Sequence, residues 1–150
     1  MFRRIRLEAL ASEPAAFASD HAFWATRPDR CWRRELEFPV VCAMLAKDAV
    51  GMMALRPLRP ARMAHRAILT GVYIRREWRG SGLAALVLNE VVTCAVQEGL
   101  RQIELGVRID NQRALRFYER NGFTEIGRNP AGFLDTGRYV VEVILARQIS

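Results

Sequence analysis

Residues 68–96 read ILTGVYIRREWRGSGLAALVLNEVVTCAV, and the fold turns on this stretch. Ile68 to Ile74 is dense in β-branched, aromatic and aliphatic residues, the composition of a strand. From about Leu83 the pattern changes. Leu83, Leu86, Val87, Glu90, Val91 and Cys94 recur at three- and four-residue spacings, so the apolar members predict one stripe of a helix. Between strand and helix lies Arg79-Gly80-Ser81-Gly82-Leu83-Ala84. Two glycines and small neighbours let the backbone turn sharply and approach a ligand. A helix that begins there points unpaired N–H groups and the positive end of its dipole into the turn. The expectation is an anion site made mostly of main chain, suited to a phosphate or pyrophosphate.

Other readings of the turn compete. Glycines can serve turn geometry alone. Gly80-x-Gly82-x-x-Ala85 also fits the dinucleotide fingerprint G-x-G-x-x-G/A. That fingerprint belongs in a strand–helix–strand unit with an acid closing the next strand roughly 20 residues on. Here the segments before the turn read as a hairpin, and Glu104 falls in mid-strand. No G-x-x-x-x-G-K-[ST] occurs either.

The surrounding chain places the turn in a mixed sheet. Val40 to Ala46 and Val50 to Leu58 read as a β-hairpin, with Gly51 as a bulge; Ala64 to Ile74 returns as a third strand. Gly99 stops the helix, and Gln102 to Val107 is the next strand. A strand–helix–strand crossover is parallel and right-handed. Asp110 or Asn111 caps a helix over Gln112 to about Arg120, ended by Asn121-Gly122. Phe123 to Arg128 and Tyr139 to Ala146 are the last strands, with Asn129 to Thr136 as a turn-rich loop. The first part, Arg3 to about Asp20, reads as helix, with Ser12 capping a second helix that starts at Pro14. Asp29 to Glu37 is a short helix or irregular arm anchored by Trp32.

The chain's 150 residues suit a single domain spanning 1–150, and 51% hydrophobic content suffices for a core without disulfides. Cys31, Cys42 and Cys94 show no Cys-x-x-Cys, and two histidines cannot assemble a metal cluster, so no metal is expected. No apolar run approaches a membrane span, and the basic start does not lead into a secretory segment, so a soluble cytoplasmic protein is expected. The formal charge of +7 and pI near 10.3 suggest an anionic partner. The arginines are scattered through every element and no nucleic-acid motif is present, so nucleic acid is not the expected partner.

The second half carries a further pattern: Val107-Arg-Ile-Asp-Asn111-Gln-Arg-Ala114-Leu-Arg-Phe117-Tyr118-Glu-Arg-Asn121-Gly122-Phe123. Together with Val72-Tyr73-Ile74 and Arg79-x-x-Gly82-x-Ala84, it resembles the GNAT superfamily of N-acetyltransferases across about Val40 to Leu145. The resemblance implies an α/β fold, a central mixed twisted sheet flanked by helices, and replaces the dinucleotide reading. It implies direct transfer of acetyl from acetyl-CoA to a primary amine of a small molecule or protein; a non-catalytic acyl-CoA sensor is the alternative. It implies that two parallel strands splay apart and that pantetheine pairs with backbone near Val72, Tyr73 and Ile74. The pyrophosphate would rest on Arg79, Gly80, Ser81, Gly82, Leu83 and Ala84. Asn111 would contact cofactor or acceptor, and Tyr118 would protonate the departing thiolate.

An ammonium is not a nucleophile, so a base must take its proton. The strand before the turn has no acid, and Glu104 is the best alternative, because a carboxylate inside a buried strand needs a partner or a purpose. A structural ion pair with an arginine competes for it. The first strand usual in the family is missing, which would leave Val40–Ala46 as an edge strand and favour a homodimer. The N-terminal helices from Phe17 to Trp32 and the Asn129–Thr136 loop are expected to form the acceptor site.

Overall fold

The computed structural model describes residues 1–150. Val40–Leu45 (β1) and Asp48–Pro57 (β2) fold back on each other through a turn in which Ala46 takes a φ of 52°. The extra residue in this hairpin is Val50, beside Gly51, since Ala43 faces Gly51 and Met44 faces Ala49. Arg66–Ile74 (β3) pairs antiparallel with β2, and Gln102–Arg108 (β4) pairs parallel with β3. Thr124–Asp135 (β5) and Arg138–Gln148 (β6) complete a six-stranded mixed sheet of order β1-β2-β3-β4-β6-β5. The expected mixed sheet therefore forms, with β1 at one edge.

Two features of β3 shape its C-terminal end. Met52 faces Tyr73 and Ala54 faces Thr70, so Gly71 and Val72 together oppose Met53. This bulge needs the glycine, whose φ is +60°. The pairing of β3 with β4 stops at Ile68 and Glu104, although β3 continues to Ile74 and β4 to Arg108. The two strands diverge towards their C-terminal ends.

The helices are Phe2–Ser12 (α1), His21–Ala25 (α2), Asp29–Glu35 (α3), Leu83–Gln97 (α4) and Gln112–Arg120 (α5). The main core lies between one face of the sheet and α4 and α5, where Leu88, Val91, Ile103, Phe123 and Leu145 are buried. The stripe that α4 buries is Val87, Leu88, Val91 and Ala95, whereas Leu86 is 65% exposed and Glu90 is exposed. The expected stripe is rotated because this helix is apolar on nearly every side, and packing on the sheet selects the inward face.

Over β2 the opposite face is covered by the N-terminal helices, through Phe2, Ile5, Ala9 and Trp32 against Ala49, Met52 and Tyr73. Arg75 ties α1 to the sheet: Nε and Nη2 donate to Glu8 at 2.7 and 2.8 Å, and Nη1 donates to Asp48 at 2.6 Å.

Two expectations about local structure change. Ser12 ends α1 instead of capping a helix, and Pro14–Ala16 makes one 3-10 turn. Proline disfavours helical backbone at the preceding Glu13. The next helix, α2, is capped by Asp20, which accepts from the Phe23 N–H at 2.7 Å. The expected loop from Asn129 is mostly strand: β5 runs on to Asp135 through an irregularity between Asn129 and Phe133. The hairpin turn is confined to Thr136-Gly137, both at positive φ. No helix is long and apolar enough to cross a membrane.

Candidate active site

The sharp bend between β3 and α4 is built as its glycines allow. Gly80 and Gly82 take φ values of 79° and 88°, and a Cβ at either would touch nothing, so glycine is required for conformation alone. Gly82 stands at the N-terminus of α4. The N–H groups of Gly80, Gly82, Ala84 and Ala85 make no hydrogen bond to the main chain, while that of Leu83 is taken by Ser81 Oγ at 3.3 Å. All four residues with open amides line a cleft of ≈ 590 Å³ between the end of β3, α4, α5 and the Pro14–Phe17 segment. Ser81 and Leu83 do not line it.

Val72, Tyr73 and Ile74 form the β3 wall. The Tyr73 side chain lies on the far face, with its hydroxyl 3.1 Å from Glu8 Oε1, so what Tyr73 offers the cleft is backbone. The Arg79 guanidinium is engaged inside the protein: Nε donates to the Ile74 carbonyl at 2.9 Å and Nη2 to Glu13 Oε1 at 2.7 Å. It holds the bend against β3 and ties the N-terminal segment down over it.

The opposite wall is α5. Ala114, Phe117, Tyr118 and Asn121 line the cleft at helical spacing, beside Arg113 and Arg120. Asn111 also lines it and caps α5, accepting from the Ala114 N–H at 3.2 Å. Tyr118 packs edge-on against Phe117 and Phe123, with ring centroids 5.2 and 5.5 Å apart. Burial alone pushes its pKa well above the usual phenol value, so the hydroxyl keeps its proton throughout the neutral range.

Glu104 is not brought to this cleft. It sits where β3 and β4 still pair, and its carboxylate is held by Arg66 Nε, by Arg66 Nη2 at 2.8 Å and by Gln102 Nε2 at 2.8 Å. The Arg66 guanidinium holds its pKa below the usual carboxylate range, against the effect of burial. The ion-pair reading of Glu104 is the one realised: Glu104 stands opposite Ile68, where the strands still pair, and reaches diagonally to Arg66, which stands opposite Gln102.

Glu13, Ala16, Phe17, Arg113, Arg120 and Asn121 line the cleft although no sequence motif marks them as site residues. Arg113 and Arg120 are seven residues apart, on the same helical face as Phe117, and that spacing was the available signal. Phe17 is the one residue of the segments expected to form the acceptor site, Phe17 to Trp32 and Asn129–Thr136, that lines the cleft, and nothing local marked Glu13. No group of three or more His, Cys, Asp or Glu side chains is gathered anywhere in the structure.

Comparison with known proteins bears on this geometry. The acetyltransferase (GNAT) family model matches residues 5–123. The L-amino acid N-acetyltransferase AaaT of Escherichia coli strain K12 is 28% identical over 130 residues, 86% of this chain and 76% of that protein. The crystal structure of a GNAT-family acetyltransferase from Streptococcus pneumoniae superposes with a TM-score of 0.80 at 19% identity, covering 99% of this chain and 95% of that one. The structure of yncA from Salmonella typhimurium with its cofactor acetyl-CoA gives 0.79 at 19% identity, covering 99% and 87%.

Proposed function

The chain belongs to the acetyltransferase (GNAT) family of acetyl-CoA-dependent N-acetyltransferases, and on that premise we propose that it moves acetyl directly from acetyl-CoA to a primary amine in this cleft. The observation that carries the reading is the meeting of four open main-chain N–H groups with Tyr118 around one cavity. In this reading the diphosphate of the coenzyme rests on Gly80, Gly82, Ala84 and Ala85, where unpaired amides and the α4 dipole favour an anion. Arg113 and Arg120 add positive charge along the same wall.

The pantetheine arm runs between β3 and β4. Past Ile68 the edge of β3 has lost its β4 partner, so main-chain groups near Val72 and Ile74 are free to bond it. The bulge at Gly71 and Val72 further loosens the β3 ladder where the thioester would lie. Tyr118 supplies the proton that the departing sulfur needs, since its buried phenol stays protonated. Asn111 spends its side-chain oxygen on the α5 cap and keeps its amide N–H groups for a ligand. The outer edge of β1 pairs with no strand, and we take it as the surface on which two copies associate; a monomer in sedimentation at micromolar concentration removes that part.

A thermal melt with and without acetyl-CoA tests the reading. Ligand at a hundredfold its dissociation constant adds about 2.7 kcal/mol. For a chain of this size that raises Tm by roughly 5–10 °C. An unchanged Tm at millimolar acetyl-CoA overturns it.

A further inference from the structure

The sheet face opposite α4 and α5 is open over β4. Along β4, Ile103, Leu105 and Val107 belong to the core, which puts Gly106 on the other face, and Gly106 is exposed. Along β6, Val143 and Leu145 are core, which puts Glu142 on that same open face. The Glu142 side chain lies across both neighbouring strands. A Cβ on Gly106 would overlap its Oε1, and a Cβ on Gly132 of β5 would overlap its Cβ and stand 3.1 Å from its Oε2. Two glycines leave the space that this one carboxylate occupies.

Glu142 is half-buried and makes no ion pair and no side-chain hydrogen bond, in a chain with 23 lysines and arginines. The other acids without either are Glu37, Glu77, Glu90, Glu98 and Glu119, and all five are exposed. A carboxylate partly withdrawn from water and left unpaired is costly unless a ligand supplies the cation.

The residue opposite Glu142 across β4 is Arg108, whose guanidinium is taken by Asp110 and Asp135; a second cation stands over the end of β3. Arg6 of α1 stacks on Phe17 with its guanidinium carbon 5.3 Å from the ring centroid, and Phe17 lines the cleft. Its Nη1 is buried without a hydrogen-bond partner, and a Cβ on Gly71 would lie 3.2 Å from it. Burial lowers the Arg6 pKa, partly offset by the charge of Glu35. The other buried polar atoms without partners are the indole nitrogens of Trp24 and Trp32. All three are donors on the N-terminal helices, so what this region lacks is an acceptor. Two residues beyond the last β3–β4 pair, Ile68 with Glu104, come Thr70 and Gly106. Gly71 and Gly106 therefore flank the opening gap, with Arg6 over the first and Glu142 over the second.

We propose that the acceptor is a free amino acid, its carboxylate held by Arg6 and its ammonium held and deprotonated by Glu142. The proposal rests on the cofactor reading above and adds the second substrate and the missing base. The ammonium passes one proton to the Glu142 carboxylate, which returns it to water. The neutral nitrogen attacks the thioester carbon, a C–N bond forms and the C–S bond breaks. The sulfur leaves with the Tyr118 proton, and the phenolate recovers a proton from the nitrogen. One amide, one thiol and one released proton balance the step. A zwitterion also meets less repulsion than a diamine at a chain of formal charge +7.

The test compares each standard amino acid with its decarboxylated amine on the wild-type full chain, reading thiol release from acetyl-CoA. We expect at least one amino acid to exceed its decarboxylated partner by about 10- to 100-fold in kcat/KM, the scale of a charged hydrogen bond. Arg6→Ala should raise KM for that amino acid by a larger factor than KM for its decarboxylated amine; equal factors overturn the assignment of Arg6. Glu142→Gln should lower kcat by about a hundredfold and recover as pH rises and the free amine accumulates, with the acetyl-CoA melt shift intact. Equal turnover of acids and decarboxylated amines overturns the proposal and leaves the cofactor reading standing. Full kcat in Glu142→Gln overturns the assignment of the base. Absence of any acetyl-CoA melt shift removes the cofactor reading, and this proposal with it.

Discussion

The bend at Gly80–Ala85 and the open face over β4 offer a ligand different kinds of group. The bend offers four main-chain N–H groups within one six-residue segment, and the side chain of its one arginine is spent inside the protein on Ile74 and Glu13. The open face offers two side-chain charges, Arg6 and Glu142, carried by elements far apart in the chain. Backbone amides suit a group that every substrate of the enzyme shares. Side-chain charges can change without disturbing the fold, and so suit the partner that differs from one acetyltransferase to another. The same contrast separates two acids on neighbouring strands: Glu104 is neutralised by Arg66, while Glu142 is left free.

The largest expected effect lies on the α5 wall of the cleft, across from the bend. Tyr118→Phe should cut kcat by about a hundredfold or more while the acetyl-CoA melt shift is kept. A normal kcat would show that the cofactor side supplies binding alone. Glu104→Gln sharpens the comparison of the two acids. It should cost about 2 kcal/mol of stability, with kcat unchanged, as urea unfolding and steady-state kinetics would report. The folded-state pKa of Glu104 lies below its unfolded value, so its contribution is full above about pH 4. It is lost as pH falls through the folded pKa, and the variant should lack that component of acid destabilisation.

Gly82→Ala probes the bend without touching any neighbour. The added Cβ meets nothing, so only the left-handed backbone at φ +88° is strained, for about 1–2 kcal/mol. Weakened acetyl-CoA binding should accompany the lower Tm in calorimetry; a loss of stability with unchanged affinity would break the link between this backbone and the coenzyme. The smallest effect belongs to Glu13→Gln. Its ion pair with Arg79 is partly exposed, side chains 39% and 25% accessible, so it is worth below about 1 kcal/mol. Releasing Arg79 should tighten acetyl-CoA by at most about fivefold in titration; weaker binding would mean that Glu13 shapes the bend.

The parts of the molecule legible in its sequence are local. Gly80 and Gly82 announce their own positive φ, Asn111 its own cap, and the Ala114 to Asn121 spacing its own helical stripe. Where a local signal was ambiguous, packing decided. Helix α4 is apolar nearly all round, so its buried face settled on Leu88 and Ala95 and left Leu86 in water. The Asn129–Asp135 segment carries turn residues, yet β6 offers a partner and most of it pairs. Glu104 was marked because a strand acid must be accounted for; which account applied depended on what lay across the sheet.

Residue order by itself determined the alternation of elements, the mixed sheet and a glycine bend before α4, because each depends on φ, ψ and periodicity within a few neighbours. Only the tertiary structure decided that β3 and β4 part after Ile68, that Glu142 rests between Gly106 and Gly132, and that Arg6 reaches Gly71. Strand register and bulges are set by side chains packing across the whole sheet, and no short window of sequence contains both members of such a contact.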